Sequence, residues 1–174
     1  MTKFILILLI FVSTHIAFAQ EGYPKPTDKT GLLFYIQHNR GKNTFIYALN
    51  RLENNKLDED NPIKVYRQIF DKNGEIKPLS VIQKNFAYGI ESIPVNKNRY
   101  EASIVSLPSQ KFYLNIPSKG NPYVETTVNG VQLKVNRIFI QQRDGTSGLN
   151  TKVDYILFYG TSKNGAVVQK LLID

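Results

Sequence analysis

Three Asn-Gly pairs, Asn73-Gly74, Asn129-Gly130 and Asn164-Gly165, punctuate this chain between short runs of β-branched and aromatic residues. A two-residue type I′ hairpin loop needs positive φ at both central positions, and Asn and Gly tolerate it best. Each pair therefore predicts a hairpin, and a series of hairpins predicts an antiparallel sheet.

The middle pair can be tested by register. With Asn129-Gly130 as the loop, Val128 faces Val131, Thr126 faces Leu133 and Val124 faces Val135. The opposite face pairs Thr127 with Gln132 and Glu125 with Lys134, an attractive charge pair. One face is apolar and the other polar, the pattern of a half-buried hairpin. Beyond it Ile138 and Ile140 fall out of phase, which predicts a bulge near Asn136-Arg137. The last pair sets Ser162 against Val167, Phe158 against Leu171 and Leu157 against Leu172. Apolar residues then lie on both faces at the end far from the turn, so this end is expected to be covered on both sides and to sit centrally or close the structure. The first pair sets Lys72 against Glu75, and Pro78 ends the second strand.

Two further hairpins need no Asn-Gly. Leu32–Gln37 joins Thr44–Leu49 through the polar loop 38–43, and Tyr100–Ser106 joins Lys111–Ile116 through the loop 107–110. One helix is predicted. Ser80-Val81-Ile82-Gln83 fits a capping box, Ile82 and Phe86 would share a buried face, and Gly89 would end the helix in a left-handed cap. The fold class is all-β, mainly antiparallel, with one short helix: a meander-type barrel or sandwich of about nine strands.

The first nineteen residues read differently. Lys3 precedes the apolar run Phe4–Val12, and Ala17-Phe18-Ala19 precedes Gln20, the order of a cleavable signal peptide. The expected organisation is a signal over 1–19 cut between Ala19 and Gln20, an extended leader over 20–30 with Pro24 and Pro26, and one β-rich domain over 31–174. The strict apolar run is shorter than the about 20 residues a spanning helix needs, which favours cleavage, with an uncleaved N-terminal anchor as the alternative; no later segment is long enough, so no transmembrane segment is expected after cleavage. The destination is periplasmic or extracellular.

Composition narrows the chemistry. The chain has no Cys and two His, and His15 lies in the signal. Thiol nucleophiles, disulfides and a multi-histidine zinc site are excluded, and a Ser-His-Asp arrangement could use only His38. Gly145-Thr146-Ser147-Gly148 has Leu149 where a nucleophile elbow needs Gly. No P-loop, dinucleotide fingerprint or H-E-x-x-H is present, and no cofactor is implied. Asp58-Glu59-Asp60-Asn61 and Asp71-Lys72-Asn73-Gly74-Glu75 read as turns rather than calcium loops. Glu91, Glu101, Glu125 and Asp154 are the acids in or beside strands that could form a carboxylate pair.

A formal net charge of +8 favours acidic partners. In an exported protein these would be anionic polysaccharide, lipid or an acidic protein, with nucleic acid not expected. Two groups of residues are the binding candidates. His38 would point inward at a rim, with Asn39, Arg40 and Lys42 beside it as donors to an anion. Lys84 and Tyr88 would share one helix face, near Tyr66 and Arg67 on the preceding strand, and could line the mouth of a barrel.

Leu33-Phe34-Tyr35-Ile36-Gln37, Asn43-Thr44, Asn61-Pro62 with Val65-Tyr66, and Phe86-Ala87-Tyr88-Gly89 resemble a group of secreted bacterial proteins, catalogued as domain of unknown function 4833. The resemblance covers Gly31 to Ile140 and extends toward the C-terminal hairpin. It implies a single exported domain and brings no activity, cofactor or catalytic residue. The function expected is a non-enzymatic binding or envelope-associated module for an anionic or amphipathic ligand. Two alternatives remain: a hydrolase of envelope polysaccharide or lipid using a carboxylate pair or His38, and an assembly protein that pairs through an edge strand.

Overall fold

The computed structural model describes residues 22–173. The expected signal segment and its expected cleavage point between Ala19 and Gln20 lie outside them. Eleven strands form one curled, mixed sheet, a half-barrel, so the all-β reading holds with more strands than expected. The strands are β1 (Leu32–His38), β2 (Thr44–Leu49), β3 (Ile63–Ile69), β4 (Glu75–Pro78), β5 (Ile90–Asn96) and β6 (Arg99–Ile104). They continue with β7 (Leu107–Asn115), β8 (Tyr123–Val128), β9 (Val131–Gln142), β10 (Val153–Ser162) and β11 (Gly165–Leu172).

The order β4-β3-β2-β1-β9-β8-β7-β6-β5 is two meanders joined by one parallel contact, β1 with β9. That contact exists because β9 is long and bulged. Along one edge β9 pairs with β10, and there Arg137 faces Tyr159 while Val135 faces Gly160, leaving Asn136 as the extra residue. Along the other edge Val131–Val135 pairs with β8, and Arg137–Ile140 pairs with β1. The bulge swings the strand between two partners, and the sheet curls there.

Inside the curl, rings from both wings meet. Phe34 stacks on Tyr47 at 4.4 Å and on Phe112 at 5.7 Å, and Phe112 approaches Phe158 at 6.4 Å. All four are fully buried. The interior is filled, and hydrocarbon burial holds the two wings together.

The Asn129-Gly130 hairpin has the expected register throughout, with φ of 50° and 77° at the turn. Its charge pair does not form an ion pair. The Lys134 ammonium lies 4.0 Å from the centre of the Tyr123 ring, and Glu125 accepts from Gln132 and Asn115 instead. The other two Asn-Gly turns differ from expectation. Ile69, not Lys72, pairs with Glu75, because a 3-10 turn at Phe70–Lys72 lengthens the loop. In the last hairpin Ser162 pairs with Gly165, so the loop is Lys163-Asn164 and Phe158 faces Gln169. The Ser162 hydroxyl accepts from the Asn164 amide and donates to the Gly165 carbonyl, stabilising that tighter turn. The slip is two residues, so every side chain keeps its face. β10 is paired along both edges, but β11 is an edge strand with Val168 and Leu172 exposed, so the hairpin is not central. The β6–β7 turn is also tighter than predicted: Ile104 pairs with Leu107, and residues 107–110 are strand.

The capping box forms as expected: Ser80 Oγ accepts from Gln83 N at 3.2 Å, and Gln83 Oε1 accepts from Ser80 N at 3.0 Å. The helix α1 (Val81–Gln83) then widens into a π turn at Lys84–Tyr88. This widening undoes the four-residue alignment on which the expected buried face rested. Ile82 and Phe86 are 60% and 64% exposed. Gly89 has φ of −58°, so it is no left-handed cap. It is glycine because a Cβ there would strike the Lys84 carbonyl.

Candidate functional site

The inner face at one end of the half-barrel gathers His38, Phe45, Arg67 and Tyr88. Register places Arg67 opposite Phe45, and Phe45 opposite Ile36, two residues before His38. The Tyr88 ring stacks on Phe45 with centroids 3.4 Å apart, and the His38 ring lies 6.0 Å from Phe45 and 6.5 Å from Tyr88. The buried Tyr47 hydroxyl donates to the Tyr88 carbonyl at 2.7 Å, fastening the π turn over the core. Burial pushes the Tyr88 phenol far above its ordinary range, and it lowers His38 below 6.5 by disfavouring the imidazolium.

Beside Tyr88 is a cavity of about 100 Å³, lined almost entirely by hydrocarbon: Ile36, Ile104, Leu107, Ile138, Ile140, Val153, Ile156 and Ile173, with Ser106 as the polar exception. A water's share of liquid volume is about 30 Å³, so the space suits an alkyl end or small apolar group rather than a whole drug-sized molecule. Ser106 Oγ donates to the Ala87 carbonyl at 2.6 Å, so the π turn closes one side. Outside, the same segment exposes Val81, Ile82 and Phe86. A wider polar groove lies elsewhere, between the tips of the β8–β9 and β10–β11 hairpins.

The polar loop after β1 is largely committed to the fold. Asn39 Nδ2 donates to the Gln142 carbonyl and its Oδ1 accepts from the Gln142 amide, extending the ladder beyond His38. Arg40 donates to the Arg143 carbonyl at 2.6 Å and meets Asp144 at 3.2 Å. His38 Nδ1 accepts from the Arg40 amide, which leaves Nε2 carrying the proton in the neutral ring. A general base oriented by an acid on Nδ1 would need the opposite tautomer. Lys42 is exposed.

The second candidate group is divided. Tyr88 and Arg67 share the inner face, and Arg67 Nε is buried without a hydrogen-bond partner. Tyr66 is on the outer face, opposite Ile46 and Pro78. Lys84 borders a separate shallow hollow with Glu91. The acids are scattered: Glu101 pairs with Lys111, Asp154 with Arg143, and Glu125 lines the polar groove. Among the described residues no group of three metal-ligating side chains occurs, and no helix is long and apolar enough to cross a membrane.

Sequence reasoning missed two outer-face features. The first is a track of buried polar side chains, Gln37, Thr44 and Gln68, that holds the leader. The Pro24 carbonyl accepts from Gln37 Nε2 at 2.7 Å and Thr44 Oγ1 at 3.4 Å. Gln68 Nε2 donates to Thr27 Oγ1 at 2.6 Å, and Gln68 Oε1 accepts from the Thr27 amide. Pro26 is buried, and Tyr23 meets Phe139 edge-on at 5.0 Å. The leader is thus a strap on the sheet. The second is Arg137, whose Nε and Nη2 are buried without partners. Its guanidinium lies 4.9 Å from the centre of the Tyr159 ring and 5.6 Å from that of Phe139. The signal for both was in the strands: amides, a hydroxyl and a cation at positions that alternate with core residues.

No curated protein and no solved structure matches the chain. The family described as a domain of unknown function (DUF4833) matches residues 34–170, taking in both the inner-face cluster and the last hairpin. The chain belongs to the DUF4833 family.

Proposed function

We propose that this is an exported, non-enzymatic binding domain for an amphipathic ligand whose apolar end enters the cavity beside Tyr88. The observation that carries the reading is the cavity: a hydrocarbon-lined space at the end of a filled half-barrel, next to a turn that exposes Ile82 and Phe86. Apolar lining gains by taking apolar surface out of water, and an exposed apolar patch beside it marks an interaction surface. The ligand's polar end would lie toward His38 and Arg67. The commitments of Asn39 and Arg40 move the weight of recognition from the polar loop to the cavity. Export rests on the order of charge, apolar run and Ala17-Phe18-Ala19 in the first nineteen residues.

Decanoate, a narrow chain with an anionic head, is the probe. Isoleucine methyl resonances of the protein should shift saturably with it, those of Ile36, Ile138, Ile140 and Ile156 most. Ile140→Phe, which fills the space from a partly buried position, should weaken binding by about tenfold, the effect of about 1.4 kcal/mol. Shifts that never saturate below the probe's micelle concentration, or an affinity untouched by Ile140→Phe, refute the reading.

A further inference from the structure

We propose that Arg137 anchors a carboxylate site on the outer face of the sheet, for a carboxylated sugar held between tyrosine rings. Register draws the site. One row across the strands reads Tyr66, Ile46, Tyr35, Arg137, Tyr159 and Val168. The next row reads Gln68, Thr44, Gln37, Phe139, Leu157 and Lys170. Neither row contains a carboxylate, and among the described residues Arg137 forms no ion pair.

The two orphaned donors are the informative pair. Nε–H and the neighbouring Nη2–H point the same way and form the side-on fork that a carboxylate fills with two parallel hydrogen bonds. Both are buried and neither has a protein partner. Buried polar groups without partners are rare, and each calls for an explanation such as an absent ligand or ion. The rings beside the fork supply flat apolar walls. Tyr159 and Phe139 lie along the guanidinium, and Tyr35 is its neighbour on β1. Tyr35 is partly exposed. Lys170, 4.1 Å from the centre of the Tyr155 ring, adds a second cation to the same face. The site is on the opposite face from the cavity, and it stands or falls independently of it.

The test is an NMR titration of the full chain labelled at arginine, reading the Arg137 Nε–H resonance. The probes are glucuronate, glucose and inorganic phosphate. Glucuronate should move the resonance saturably, glucose should not, and phosphate should bind at least tenfold more weakly. Arg137→Lys keeps the charge and removes the fork, and should weaken glucuronate at least tenfold, read by surface tyrosine shifts. Should that variant fail to fold, the wild-type contrast between the three probes still decides. No saturable shift with glucuronate overturns the proposal, as does phosphate binding equally well.

Discussion

The two faces of β1, β2 and the Ile138-Phe139 stretch of β9 are both buried, yet they are buried by different means. On the inner face, Phe34, Ile36, Phe45, Tyr47 and Ile138 meet other hydrocarbon from the far wing of the sheet. On the outer face, Gln37, Thr44 and Phe139 are covered by a strap that no strand pairing holds, and side-chain amides grip its backbone. Inner burial is non-directional and scales with area. Outer burial is directional, because a polar group removed from water must find its partner. The same strand can therefore lose very different amounts of stability at adjacent positions, and for different reasons.

The largest effect should come from the inner face. Phe34→Ala removes the ring that touches both wings, through Tyr47 and Phe112. The expected loss is about 3–5 kcal/mol, since the filled interior can collapse only partly into the space. Urea unfolding should show the midpoint falling with the slope unchanged. A loss below about 1 kcal/mol would mean that the wings do not depend on this contact.

The outer face should give a smaller and more selective loss. Gln37→Ala leaves the Pro24 carbonyl with only the longer Thr44 bond, and leaves Thr44 Oγ1 without its donor. The expected cost is about 1–3 kcal/mol. Hydrogen exchange or limited proteolysis should show 22–30 released first, while the core strands stay protected. Equal loosening of strap and core would erase the distinction between the two faces.

How far the sequence could be read follows from the same contrast. The Asn129-Gly130 hairpin was legible to the residue because its turn chemistry, alternation and register agree, and the bulge at Asn136 showed as a change of phase. The last hairpin slipped by two because Ser162, not the Asn-Gly pair alone, sets the turn. The capping box was legible because it is local, whereas the π turn after it answers to Tyr47 and Ser106, distant in sequence. Of the candidate residues, Tyr88, Arg67 and His38 do meet around Phe45, since strand parity fixes their face. Tyr66 was lost to the same parity, one position away. Gln37 and Arg137 looked like solvent-facing polar residues, because alternation alone does not distinguish a wet outer face from a strapped one.

The smallest effect sits where the two faces come closest, at the end of β1. Gln37 points outward to the strap, and His38 points inward to Phe45 and Tyr88. Burial lowers the His38 pKa below its ordinary value of 6.5. The unfolded chain therefore binds the proton at higher pH than the folded one, and stability must rise with pH across the interval between the two values. The contribution is fully present above about 6.5, and it is lost as pH falls from there through the depressed native pKa. His38→Gln keeps an acceptor for the Arg40 amide and removes the titration. Its unfolding midpoint should change less than that of the parent protein between about pH 7.5 and 5.5, where most carboxylates stay ionised. An unchanged slope, or a native His38 titrating at or above 6.5 by NMR, would place that ring in water and detach it from the Phe45–Tyr88 stack.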